Sequence, residues 1–247
     1  QNACKSNISW DCNLPDECLN LVKSWLKNLS EVGTIEFPRY CFSCERNSIK
    51  SGSLVGFADA SEIAFGGVVY VRIDSPNAVH VNLLVSKSRV APITPQTIPR
   101  LELLGCLLLA NLVAPVQSAL SSVIDLSPNS QHYFTDSYTA LCWVRNKHQH
   151  FVEERAKKIR ALTDTDQWNH VAGLENPADL ATRGLMPSDL KNNKFWTEGP
   201  DWLQLAPDKW PLKFHSVDQT ADSLKEMKAD QTNHLSREQA LFLSLRD

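Results

Sequence analysis

The chain has 247 residues, a net charge of -3 and seven cysteines. That length suits one ordinary domain with flanking pieces, and the near-balanced charge excludes an overall basic footprint for nucleic acid, although acidic ligand groups would cancel basic contacts in the sum. The odd, scattered cysteines (Cys4, Cys12, Cys18, Cys41, Cys44, Cys106 and Cys142) make no disulfide framework and fit a reducing compartment. No run approaches the roughly 18 apolar residues of a membrane span, and no basic-then-apolar segment opens the chain, so no targeting is read. The sequence begins at Gln1 with Met only at Met186 and Met227, and is expected to be a piece of a longer polypeptide.

Residues 1–53 read as a lead-in. Pro15, Asp16 and Glu17 start an amphipathic helix whose one face carries Cys18, Leu21, Val22, Trp25, Leu26 and Leu29, a face that needs something to pack on. Cys41-Phe42-Ser43-Cys44 has the spacing of half a zinc site, but no second pair follows at zinc-ribbon spacing, and His148 and His150 suit a polar loop.

A core is expected over 54–184. The unbroken apolar run Leu54 to Ala58 predicts a strand buried on both faces, and Val68 to Ile73, after Gly66-Gly67, predicts the partner it turns back to meet. Asp59 sits between them. A carboxylate ending a buried strand is costly unless bound, which points to a divalent cation; the competing role is a turn cap with Ser61. Ala78 to Ser86 alternates, with Val79, Val81, Leu83 and Val85 on one face, and completes an antiparallel meander. A Pro-punctuated loop from Val90 to Pro99 leads into a helix, Arg100 to Leu112, apolar all round and expected to be buried. Glu102 shares a face there with Gly105, Cys106 and Leu109, surroundings that a first-turn dipole role does not explain.

His132 to Thr135 predicts a strand running into Asp136, repeating the placement of Asp59, with a helix from Ser137 to Arg145 behind it. A second helix, Phe151 to Leu162, carries Arg155, Lys157, Lys158 and Arg160, read as lying around its outer surface, with Arg145 and Lys147 preceding it as further basic groups. Trp168 to Val171 is a last strand ended by Gly173; Asn176 suits a helix cap, Pro177 the first position and Asp179 the first turn, where an Asp is often only a dipole partner. Residues 185–247 loosen into Trp- and Pro-bearing segments, with a weak helical signal near Ser236 to Leu245.

The fold class read from these elements is α/β, a mixed five-stranded sheet of three antiparallel strands then two parallel ones, with flanking helices. Its edge collects Asp59, Glu102, Asp136 and Asp179. Mutual repulsion demands cations, and hard oxygen ligands without nearby His or Cys favour Mg²⁺ or Mn²⁺ over zinc.

These residues carry a resemblance. Gly56 to Ser61 (Gly-Phe-Ala-Asp-Ala-Ser), Ser86 to Pro92, Ile98 to Leu103, Thr135-Asp136-Ser137 and Glu175 to Gly184 stand in the order found in the ribonuclease H region of Bel/Pao retrotransposon Pol polyproteins. The resemblance implies an RNase H fold and hydrolysis of the RNA strand of RNA/DNA hybrids during reverse transcription. Asp59, Glu102, Asp136 and Asp179 are carried over as catalytic metal ligands to two Mg²⁺ (or Mn²⁺) ions, about 3.5 to 4 Å apart, with Asp59 bridging both. Ser61, Arg100, Ser137, Lys157 and Lys158 are candidate substrate contacts. The resemblance also implies adjacent reverse transcriptase and integrase regions in the same polyprotein and a setting in cytoplasmic virus-like particles with a nuclear stage; no membrane partner is read. Residues 14–39 resemble the connection after a reverse transcriptase thumb, and Gly199 to Leu203 the approach to integrase.

One departure stands out. Many RNase H enzymes place a mobile His just after the Gly that ends the last strand, and here Leu174 follows Gly173; His170, inside the strand, is read as a packed or surface histidine and left out of the site. The Asp-Glu-Asp-Asp order argues against integrase-type acids, and neither Asp59 nor Asp136 sits in an Asp-Thr/Ser-Gly protease motif. The alternative function is a catalytically silent connection or domesticated module that keeps the fold and binds nucleic acid or protein.

Overall fold

The apolar run at Leu54 becomes the middle of a sheet. In the computed structural model, which describes residues 8–9, 11–38, 40–42, 44–45, 48–124, 126, 130–146 and 151–212 (Phe151 by its backbone alone), strand β1 (Ser51–Ala60) lies between β2 (Ala64–Asp74), antiparallel, and β4 (Gln131–Thr135), parallel. β3 (Val79–Val90) extends the antiparallel side and β5 (Trp168–His170) the parallel side, giving the order β3-β2-β1-β4-β5. A strand with neighbours on both edges and helices over both faces must be apolar throughout. Leu54, Val55, Phe57 and Ala58 are accordingly all fully buried. Lys147, His148, His150 and the helical signal near Ser236 to Leu245 lie outside the described residues.

The third strand departs from its predicted alternation. Between the pairs Val69↔Val85 and Tyr70↔Leu83 the register shifts, leaving Leu84 as an extra residue on β3. A bulge of this kind turns the following side chain to the other face. Val79, Val81 and Leu83 pack in one core and Val85, with Leu84, in the opposite one, so Val85 does not share the face assigned from period-two spacing. β3 also runs on to Val90, because β2 begins at Ala64 and pairs with it there.

Helix α1 (Asp16–Val32) is the predicted amphipathic element and buries none of its residues, leaving Leu21, Val22, Trp25, Leu26 and Leu29 exposed. Helix α2 runs Ile98–Leu120, past the predicted Leu112 end and through Pro115, and its buried residues lie between Leu101 and Val113 rather than all round. With 23 residues it is by length and composition apolar enough to cross a membrane, which corrects the reading that no stretch approaches a span; here its first half packs on β1 and β2. Helices α3 (Tyr138–Arg145) and α4 (Phe151–Leu162) join it on that face, where Leu103, Leu109, Trp143, Ile159 and Trp168 form one core.

The opposite face is covered by α5 (Ala178–Arg183) and by the segment after it, which holds α6 (Pro187–Leu190) and α7 (Lys194–Thr197). Trp196, Leu203 and Trp210 pack there on Val55, Phe57, Tyr70 and Phe134. Arg72, near the end of β2, points into this layer. It is 2% exposed and donates from Nε to the Leu203 carbonyl, from an Nη to the Leu205 carbonyl and from the other Nη to Asp74, with Trp210 over its guanidinium.

Candidate metal centre

The two parallel strands set the site. β1 and β4 pair in register up to Ala58↔Thr135, one residue before each acid, so Asp59, still paired with Gly66 of β2, and Asp136 stand side by side where the parallel pairing ends. Carboxyl ends of parallel strands are where an open α/β sheet offers its crevice. Glu102 arrives from α2, and Gly105 is what allows it. A β-carbon at residue 105 would stand 2.7 Å from the Asp59 carbonyl oxygen, so only glycine lets the helix backbone come this close to the end of β1. Asp59, Glu102 and Asp136 then each offer a carboxylate oxygen, all within 4.8 Å of one another.

Burial and mutual repulsion shape how these acids hold protons. Asp59 and Glu102 are 4% and 7% exposed. Burial first, then the charges of Asp136 and Asp59, push Glu102 up to about 9. Burial likewise raises Asp59 to about 6, against the hydrogen bond from Thr182, and raises Asp136. Glu102 Oε2 is buried without a hydrogen-bond partner. A buried carboxylate with one orphaned oxygen, set beside two further carboxylates, fits a hard divalent cation. Mg²⁺ and Mn²⁺ match that donor set.

Asp179 stands at the rim. It is not in the group of three, its side chain is 33% exposed, and its Oδ1 accepts from Arg183 Nε at 2.5 Å. Its charge still adds to the upward push on Asp59, Glu102 and Asp136, after their burial.

The proposed substrate contacts fall in different places. Ser61 closes the β1–β2 turn, accepting from the Ala64 N–H at 3.2 Å, and its hydroxyl also donates to the Thr182 carbonyl at 3.1 Å, tying that turn to α5. The turn is thus capped by Ser61 while Asp59 faces the other acids. Ser137 is the cap of α3, accepting from the Ala140 N–H. Arg100 opens α2 near Arg155, which burial and then the Arg100 charge hold below its ordinary value. Lys157 and Lys158 are exposed on α4, Lys157 3.6 Å from Glu154. Arg160 and Arg145 correct the outward reading of that basic stretch. Arg160 turns inward to the Trp143, Val144 and Asn146 carbonyls and to Glu153, and Arg145 donates to the Trp168 carbonyl. Both meet carbonyls that α3 and β5 would otherwise leave unpaired.

Three residues matter more than their sequence context suggested. Asn176, fully buried, does more than cap: its Nδ2 donates to the Ala58 carbonyl at 2.9 Å and to Asp136 Oδ1 at 3.3 Å, while its Oδ1 accepts from the Ala178 N–H. One amide thus ties the end of β1, the acid of β4 and the start of α5. Thr182 donates its hydroxyl to Asp59 Oδ2. His170 stacks on Tyr138 with ring centroids 3.7 Å apart and donates from Nε2 to the Asp136 carbonyl at 3.0 Å, so its packed state bears on the site. The neighbourhood Asn-Pro-Ala-Asp was a visible signal for Asn176; nothing local distinguished Thr182.

The family model of the Pao retrotransposon-like RNaseH-like domain matches residues 1–137, a stretch that contains Asp59, Glu102 and Asp136. No curated protein matches. Among solved structures, the chain is similar to LC11-RNase H1 in complex with RNA/DNA hybrid, at 14% identity over 56% of this chain and 99% of that one, with a TM-score of 0.36. It is also similar to the N-terminal RNase H domain of rv2228c from Mycobacterium tuberculosis, solved as a fusion with maltose binding protein, at 14% identity over 51% and 86% of the two chains and a TM-score of 0.31. A third similarity is to the catalytic domain of human Endonuclease V, at 14% identity over 50% and 48%, TM-score 0.23.

Proposed function

The chain belongs to the Pao retrotransposon-like RNaseH-like domain family, and from that premise we propose that it is a divalent-metal-dependent endonuclease that hydrolyses the RNA strand of RNA/DNA hybrids during reverse transcription. The observation that carries this reading is the convergence of Asp59, Glu102 and Asp136 within 4.8 Å around an unpartnered Glu102 oxygen. In-line hydrolysis forms a bond from a water oxygen to phosphorus, breaks the bond to the 3′-oxygen, and leaves a 5′-phosphate and a 3′-hydroxyl. Bound Mg²⁺ or Mn²⁺ would supply water activation and charge stabilisation at the scissile phosphate.

The protein's own part is to hold and orient. Asp59, Glu102 and Asp136 are the ligands, with Asp179 completing the set from the rim. Glu102, which burial and its acidic neighbours hold up at about 9, would give up its proton to serve as a ligand. Thr182 donates to one oxygen of Asp59 and Asn176 to one oxygen of Asp136, which fixes how each carboxylate is turned. Lys157 and Lys158, exposed on α4, are proposed to hold backbone phosphates of the substrate; Ser61, Arg100 and Ser137 extend that surface. Reverse transcriptase and integrase regions of one polyprotein are the partners this reading implies.

A labelled RNA/DNA hybrid incubated with the purified chain and Mg²⁺ or Mn²⁺ tests the reading. Cleavage of the RNA strand is expected, with Asp59→Asn or Asp136→Asn reducing it to background in a protein that still melts cooperatively, and with charge reversal at Lys157 and Lys158 weakening hybrid binding. An intact hybrid, both with this chain and with a longer one that includes the preceding reverse transcriptase region, contradicts it and favours a binding module on the same fold.

A further inference from the structure

Helix α5 treats the acids unequally. Asp59 and Asp136 each accept a hydrogen bond from an uncharged, buried donor, Thr182 and Asn176. Asp179 is matched by a cation instead: Arg183, one turn on, donates from Nε to Asp179 Oδ1 at 2.5 Å. The Arg183 side chain is 74% exposed, so this is a surface pair beside a buried cluster.

We propose that Arg183 is an exchangeable counter-ion: it neutralises Asp179 until a divalent cation takes that acid, and then pairs with a backbone phosphate of the nucleic acid. The chemistry allows each half. Exposed ion pairs change an equilibrium by at most about fivefold, so a dication at the rim displaces the guanidinium at little cost. A freed guanidinium offers a planar fork of donors suited to phosphate oxygens. Because the two events share one residue, they are linked. Cation binding at Asp179 favours phosphate binding, and phosphate binding favours the cation by the same factor. The first half rests on Asp179 as a cation ligand, proposed above, and the second on the nucleic-acid reading as well.

The test has two arms on the full chain. In the first, Mn²⁺ binding to the protein alone is measured by calorimetry, where Arg183→Gln is expected to tighten the weaker binding event by about two- to fivefold. In the second, binding of a labelled RNA/DNA hybrid is followed by fluorescence anisotropy in EDTA across a salt series, for the wild type, Arg183→Gln, Asp179→Asn and the double variant. Asp179→Asn frees Arg183 and is expected to tighten hybrid binding and steepen its salt slope by about one. That gain is expected to vanish in the double variant, a non-additivity that a general change in charge does not produce. Unchanged Mn²⁺ binding in Arg183→Gln overturns the exchange, and so does strict additivity of the two substitutions on hybrid binding. A wild type that binds Mn²⁺ but no hybrid under any condition overturns the nucleic-acid reading and the phosphate half with it, while the Mn²⁺ arm still decides whether Arg183 competes for Asp179.

Discussion

The same sheet buries charge in two ways. On β2, Arg72 is 2% exposed and fully answered: two carbonyls, the Asp74 carboxylate and the Trp210 ring meet its guanidinium. At the end of β1, Asp59 is 4% exposed, stands beside Glu102 and Asp136, and faces a Glu102 oxygen with no partner at all. Burying an ion costs several kcal/mol unless its partners are supplied. Arg72 is answered by a carboxylate and carbonyls, whereas the acids are answered only by uncharged donors, Thr182 for Asp59 and Asn176 for Asp136, and one Glu102 oxygen by none, an arrangement that leaves their combined charge for a cation from outside the chain. The segment from Trp196 to Trp210 both covers this face of the sheet and completes the first arrangement; the segment from Asn176 to Thr182 orients two acids of the second without neutralising them.

Removing either centre separates the two cases, and the largest effect is expected at Arg72. Arg72→Ala leaves the carbonyls of Leu203 and Leu205 unpaired, removes the ion pair with Asp74 and loosens the C-terminal layer, so a loss of about 3 kcal/mol is expected by chemical denaturation. A small change there would mean that the C-terminal layer contributes little and that the comparison fails on its satisfied side.

The acidic side moves in the opposite direction and by less. Glu102→Gln is expected to stabilise the cation-free protein by about 1 kcal/mol while eliminating cleavage, the usual trade of stability against a strained site. Its pH dependence sharpens the point. Glu102 and Asp59 titrate at about 9 and about 6 in the folded chain, above ordinary values of 4.5 and 3.8. The folded state therefore holds more protons than the unfolded one, and stability falls as pH rises from about 4 toward 9. Thermal melts in EDTA are expected to follow that fall, to flatten in Glu102→Gln, and to recover when Mg²⁺ is added at high pH. Melts that rise over this window contradict the raised values.

How much of this was legible depends on the range over which each residue acts. Leu54 to Ala58, Val68 to Ile73 and the acid that follows each strand of the parallel pair were readable because strand periodicity and burial are local. The mixed sheet followed from them. The bulge at Leu84 was not readable, since an extra residue leaves the alternation of Val79 to Leu83 looking uninterrupted. Arg145 and Arg160 read as solvated because their acceptors, the carbonyls at the ends of α3 and β5, come from other elements. Arg72 was hidden inside an apolar run, although a cation within a buried strand is itself a demand for distant acceptors. Asn176 was assigned its cap and not its bonds to Ala58 and Asp136, and Thr182 was not singled out, because both contacts span more than a hundred residues to β1.

Proton-coupled cation binding tests the central claim most directly. Mn²⁺ is titrated into the wild type, Glu102→Gln and Asp59→Asn at pH 7 by calorimetry, in two buffers of different ionisation enthalpy, which gives both the affinity and the protons released. The wild type is expected to bind Mn²⁺ with release of protons, Glu102→Gln to bind more weakly and release about one fewer, and Asp59→Asn to bind weakly or not at all. A wild type that takes up no Mn²⁺, or one whose binding and proton release are matched by both variants, would contradict that claim.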